Sequence, residues 1–210
     1  EFFRVCHSIP DAMGIALTTP VGVVIHTGDF KIDHTPVDHR ATDFSSLARL
    51  VKDGVLLMLS DSTYAEIEGY TPSERVVGET LSKVIGEAKG RVMVATFASL
   101  ISRIQQVVDA AVKYERKVVV IGRSMINNVK MATKMGFLNI PDGVMVPLSR
   151  AKQLPDNEVV IIATGAQGEP TSALVRIANG NHPEVEVVNG DTVVVSASPI
   201  PGNEPVVYKT

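Results

Sequence analysis

The chain has 210 residues, 45% apolar and 20% charged, with 20 basic against 23 acidic side chains and a net charge of −3. That balance is ordinary for a soluble globular protein with room for one large core or two small ones. It contains no apolar run near the roughly 18 residues of a membrane helix, and its one cysteine, Cys6, excludes an intrachain disulfide and fits a reducing cytosol.

The opening Glu1-Phe2-Phe3-Arg4 has neither an initiator Met nor the shape of a signal peptide, so the chain is expected to begin mid-domain. Residues 14–19 and 22–27 are β-type runs separated by Pro20-Val21, the pattern of a hairpin. A short helix over 44–50, capped by Asp43, leads to a third strand over 55–60. Two of these strands run into loops at His26-Thr27-Gly28-Asp29 and Leu59-Ser60-Asp61-Ser62. Strand ends are rigid and the loops beyond them open to substrate, so acids there are well placed for chemistry.

The polar segment 64–70 reads as a linker, and Thr71-Pro72-Ser73-Glu74 opens a helix over 73–87. Strands at 91–97, 117–121, 159–164 and 192–197 then alternate with helices near 100–114, 125–135 and 172–178. Continuous β-branched strands between helices predict a parallel sheet covered on both faces. The charge is uneven: residues 103–134 hold Arg103, Lys113, Arg116, Lys117, Arg123, Lys130 and Lys134 against only Asp109 and Glu115. Such a local excess either attracts a polyanion or is a solvated helix face.

Several constellations can carry chemistry. His7 and Asp29 sit at strand–loop junctions with a hairpin between them, so their side chains can converge on a metal; a loop histidine and a turn aspartate fit the spacing as well. Asp61 reads either as a carboxylate orienting a ligand or as an Asx-turn. In Thr96-Phe97-Ala98-Ser99-Leu100 a strand feeds a helix whose first amides and dipole favour phosphate, although most such turns are only caps. Gly122-Arg123-Ser124 repeats that geometry and adds a guanidinium. Residues 164–170 lack the marks of a P-loop or a dinucleotide fingerprint and read as a tight turn, and residues 196–204 read as a rigid turn set by Pro199, Pro201 and Gly202. His26 is expected to pack within its strand, and His34, His39 and His182 receive no role.

These segments together resemble the ribonuclease J family. Phe2-Phe3-Arg4-Val5-Cys6-His7-Ser8-Ile9-Pro10-Asp11 is similar to its third metal motif, Thr27-Gly28-Asp29-Phe30-Lys31 to its fourth, and Ser60-Asp61-Ser62-Thr63 to motif A of the β-CASP group. The likeness continues through residues 69–74, Ala98-Ser99, Arg103-Ile104-Gln105-Gln106 and Gly122-Arg123-Ser124-Met125, and closes with residues 164–172 and 198–204. The resemblance implies an α/β fold: a partial metallo-β-lactamase αββα core over 1–70, then a β-CASP domain over 71–210 with a parallel, helix-covered sheet. It further implies a cytoplasmic enzyme that hydrolyses RNA with two Zn2+ ions, as a 5′–3′ exonuclease and endonuclease, in RNA processing.

By the same resemblance His7 and Asp29 are metal ligands, Asp61 supports catalysis, and Ala98, Ser99 and Leu100 bind substrate. The implied partner is RNA, 5′-monophosphorylated; the whole protein is expected to be a homo-oligomer with no membrane association. The family's His-x-His-x-Asp-His motif and its later histidine motifs do not occur in these residues. The 210 residues are therefore expected to be an inactive fragment with exposed apolar surface on the first part. Competing readings are a β-CASP nuclease acting on DNA or other RNA ends, a non-catalytic Rossmann-like nucleotide-binding module, and a hydrolase of small esters or lactams.

Overall fold

The computed structural model describes residues 1–200 and 202–210; Pro201, one of the prolines expected to stiffen the 196–204 turn, lies outside the described residues. The chain forms two compact units, Glu1–Val77 and Gly78–Thr210.

The first unit is built on a sheet of four strands in the order β1 (Phe2–Arg4), β2 (Met13–Thr19), β3 (Gly22–His26) and β4 (Leu57–Leu59). The predicted hairpin is present: β2 and β3 are antiparallel, with Thr19 opposite Gly22 across the Pro20-Val21 turn. β1, which the sequence reading did not anticipate, is antiparallel to β2, and β4 is parallel to β3. Because the side chains of a strand alternate between faces, Ala16 of β2 joins Phe3, Val5 and Ile25 in a core, and Leu47 and Leu50 of α1 (Phe44–Leu50) pack against it. Asp43 caps α1 as expected, accepting a hydrogen bond from the Ser46 amide at 2.9 Å. Gly14 makes room for Phe3: a Cβ there would lie 2.2 Å from the ring.

The opposite face of the hairpin leaves Met13, Ile15 and Leu17 exposed, and every residue of β4 is exposed as well. Exposed apolar surface was expected on this part of the chain.

The second unit has the predicted parallel sheet. Its strands are β5 (Val92–Ala95), β6 (Lys117–Ile121), β7 (Val159–Ala163) and β8 (Thr192–Val195), in the order β6-β7-β5-β8. The central strands β5 and β7 are buried along their whole length, which explains their unbroken apolar sequences. α2 (Glu74–Glu87) begins in the first unit and continues into the second, where α3 (Ile101–Lys113), α4 (Arg123–Lys134), α5 (Leu148–Ala151), α6 (Ala173–Ala178) and α7 (Glu204–Lys209) run between and around the strands. Ile104, Val107 and Val108 of α3, Met125 and Val129 of α4, and Ala173 and Ile177 of α6 are buried. The last helix, α7, occupies residues that begin where the sequence pattern indicated only a turn.

This strand order positions the loops. From β5 the chain crosses beyond β7 to reach β6, whereas from β7 it crosses beyond β5 to reach β8. Connections thus leave the adjacent strands β5 and β7 in opposite directions, and in open α/β sheets ligands bind outside the carboxyl ends of strands at such a switch point.

Candidate functional site

In the first unit β1, β3 and β4 all run the same way, so the loops that follow them emerge at one end of the sheet. Short backbone bonds hold those loops together. The Lys31 amide donates to the Cys6 carbonyl at 2.7 Å, and the Thr27 amide to the Leu59 carbonyl at 3.0 Å. The buried Thr27 hydroxyl oxygen accepts from the Asp61 amide at 3.0 Å. The segments carrying His7, Asp29 and Asp61 are therefore neighbours.

Asp61 is the best-fixed of the three. Its carboxylate accepts from the Thr63 amide at 2.9 Å and from the Phe30 amide at 3.4 Å. The Thr63 amide and hydroxyl hold this carboxyl below the usual aspartate range, burial works against them, and the Phe30 amide and nearby His7 add to the lowering. Asp61 thus ties its own turn to the loop that carries Asp29. His7 is half-buried, with the Ser8 hydroxyl 3.4 Å from its Nε2, and Asp29 is exposed. Gly28 sets the position of Asp29: its φ is 63°, and a Cβ would approach the Met13 carbonyl oxygen to 2.7 Å.

An imidazole nitrogen and a carboxylate oxygen are suitable zinc donors, but a catalytic zinc takes three ligands from protein. Among the described residues there is no group of three or more His, Cys, Asp or Glu side chains able to hold a metal. His7 and Asp29 fit such a site in kind and fall short in number.

His26, expected to pack inside its strand, is instead exposed, with its Nδ1 accepting from the Gly28 amide at 3.0 Å. It sits at the last position of β3, where alternation turns it away from the core. Asp33 is a residue that sequence reasoning missed. It is buried and accepts from the Thr35 amide, the Ser73 hydroxyl and the Glu74 amide, fixing the segment after Lys31 to the start of α2. Lys31 itself pairs with Glu74 at 3.2 Å. Partners 40 residues downstream leave no local signature at Asp33.

In the second unit Ala98, Ser99 and Leu100 lie at the switch point, between β5 and α3. Only Ser99 is exposed; Ala98 is half-buried, and Leu100 is buried and forms the N-cap of α3. The Leu100 amide donates to the Phe97 carbonyl at 3.1 Å, and the Ala98 carbonyl accepts from the Asn128 side chain at 2.9 Å. Of the three candidates, Ser99 has the side chain best placed to meet a ligand. Across the switch, the buried Gln167 donates to the Ser198 carbonyl at 2.9 Å and accepts from the Ile200 amide at 2.8 Å. The loop after β7, which the sequence marked only as a turn, thus clamps the segment after β8.

Two residues of the basic stretch are not surface charges. The Arg103 guanidinium is buried against Gln106 and Ser196, and Arg116 is buried with its guanidinium on the Ala88 and Gly90 carbonyls. Both hold the second unit together, so the excess available to a partner is smaller than the sequence count.

A family model described as the β-CASP domain of ribonuclease J matches residues 89–210. The whole chain aligns with a protein named ribonuclease J from Synechocystis sp. at 50% identity, covering 33% of that relative. Relatives of the same name from Thermus thermophilus and Mycobacterium tuberculosis are each 48% identical; the chain covers 36% and 37% of their lengths, with 100% and 99% of the chain aligned. The chain therefore spans about a third of the length of these curated relatives. In fold it is similar to a crystal structure of a protein of unknown function from Enterococcus faecalis, with a TM-score of 0.52 and 14% identity over 77% of this chain and 40% of that one. With its β-CASP model matched along more than half of the residues, the chain belongs to the ribonuclease J β-CASP family.

Proposed function

We propose that the chain is part of a cytoplasmic, zinc-dependent ribonuclease that cuts RNA as a 5′–3′ exonuclease and as an endonuclease in RNA maturation and decay. Residues 1–70 contribute to a metallo-β-lactamase core and residues 71–210 form most of a β-CASP domain. His7 and Asp29 are metal ligands, and Asp61 supports the site by tying its own turn to the loop that carries Asp29. The remaining ligands come from other segments of a longer protein, so the 210 residues alone are inactive. Bound zinc would offset the negative charge of the scissile phosphate.

The observation that carries this reading is the meeting of the His7, Asp29 and Asp61 loops at one end of the first sheet, in a chain whose relatives are named ribonuclease J. Ser99, exposed at the switch point of the second sheet, binds the 5′-monophosphate of the RNA. The whole protein is a homo-oligomer; no helix of the described residues is long and apolar enough to cross a membrane.

The test uses the full-length protein and a 5′-monophosphorylated RNA. Asp29→Ala is expected to abolish cleavage and lower bound zinc; near-normal turnover removes Asp29 from the ligand set. Ser99→Ala is expected to weaken the preference for monophosphorylated over hydroxyl 5′ ends while metal content stays the same. An unchanged end preference discards the Ser99 assignment.

A further inference from the structure

On helix α4 four of the polar residues, Arg123, Asn127, Lys130 and Lys134, follow one another at steps of four, three and four. At 3.6 residues per turn these fall within an arc of about 60°, a stripe about 16 Å long. Met125, Val129 and Ala132, which face the opposite way, are the buried residues of the helix. Arg123, Asn127, Lys130 and Lys134 are three exposed cations and an exposed amide, and α4 contains no acidic residue. None of the three cations forms an ion pair among the described residues.

Arg123 is the informative member. It is the first residue of α4, next to an N-cap, Gly122, that supplies no side-chain bond, and no acid lies in the first turn. The helix dipole is positive there, so a cation weakens the helix and an acid would strengthen it. Stability of α4 therefore does not account for Arg123; a bound anion would.

We propose that this stripe is a docking ridge for the phosphate backbone of RNA, lying along α4 from Arg123 to Lys134. The proposal rests on the ribonuclease reading for the identity of the polyanion. A row of cations with one amide meets what a backbone offers, repeated charge without sequence information. The helix has no aromatic residue of the kind that anchors protein–protein interfaces. Lys113 and Lys117 of the basic stretch lie outside the stripe, and Arg103 and Arg116 are buried, so the ridge comprises three of the seven cations.

The test measures binding of a single-stranded RNA oligonucleotide to the full-length protein, carrying Asp29→Ala to prevent cleavage, across a range of salt. Each lost phosphate contact flattens the log–log salt slope by about 0.7. The triple change Arg123→Gln, Lys130→Gln and Lys134→Gln should flatten it by about 2 and weaken binding about 100-fold at 0.1 M salt. The charge-keeping set Arg123→Lys, Lys130→Arg and Lys134→Arg should retain both, which separates loss of charge from loss of fold. An unchanged slope in the triple variant overturns the ridge. So does tighter capture of polyglutamate than of RNA, which would indicate an acidic protein as partner. If the parent protein binds no RNA at any salt, the ribonuclease reading fails as well.

Discussion

The two sheets handle the same problem differently. In the second unit each central strand lies between helices, so β5 and β7 are buried along their lengths, and only the edge strand β8 leaves apolar side chains, Val193 and Val195, exposed among the sheet's described residues. In the first unit α1 packs on one face, while Met13, Ile15 and Leu17 on the other face and all of β4 remain exposed. A parallel sheet whose crossovers are helices covers its central strands on both faces, whereas a hairpin with added strands is covered only on the face that α1 reaches. The proposed phosphate site therefore sits on a self-supporting scaffold. The proposed metal site sits on one whose apolar surface still calls for a covering.

Ion pairs sharpen the contrast, and the largest expected effect comes from one of them. Arg91 grips Asp191 through two bonds, at 2.9 and 2.6 Å, and the Asp191 side chain is 1% exposed. The hydrogen bonds to Asp191 raise the Arg91 guanidinium above its ordinary range, with burial opposing. Asp191→Ala leaves that guanidinium without its main partner and should cost about 3–5 kcal/mol in urea unfolding of the second unit. In the first unit Arg49 and Glu1 pair at 3.2 Å with both side chains more than half exposed, and Arg49→Ala should change stability by less than about 1 kcal/mol. Equal losses would show that burial does not separate the two units.

Packing gives the next largest difference. Ile162→Ala, in the fully buried β7, should destabilise by about 2–4 kcal/mol. Leu57→Ala, in the exposed β4, should fall within about 0.5 kcal/mol and reduce self-association in light scattering. A large loss at Leu57 would mean that β4 is covered.

A cap effect is smaller: Asp43→Ala should destabilise the first unit by about 1 kcal/mol through loss of the Ser46 bond, read from the same unfolding curves. The smallest effect is in pH. Burial pushes the Asp33 carboxyl up, but hydrogen bonds from Thr35, Ser73 and Glu74 and the charge of Lys31 bring it below the usual aspartate range. Its contribution is thus present above the unfolded value, about 3.9, and is lost as pH falls through the lower folded value. Asp33→Asn should flatten the acid limb of stability against pH; an unaltered limb would show that Asp33 does not drive it.

Much of the architecture could be read from the chain. β6 was placed to the residue, and the hairpin, α1 with its Asp43 cap and the β–α alternation were all visible, because each follows from local periodicity and turn chemistry. The short strand β1 and the helix α7 were not. Three residues are too few to display alternation, and Pro199 with Gly202 mark a turn more strongly than the following residues mark a helix. The candidate site was legible as motifs, yet nothing local distinguished His26, which faces solvent, from a packed strand residue.

What the sequence by itself determined is where most strands and helices lie and which residue types stand at their ends, since these depend on neighbours a few positions away. Tertiary structure alone decided that β7 lies between β5 and β6, that Arg103 and Arg116 are buried while Arg123, Lys130 and Lys134 face water, and that Asp33 and Gln167 join distant loops. The reason is physical: burial and hydrogen-bond partners are fixed by strand order and packing between segments about 30 to 100 residues apart. Local patterns carry no record of that register.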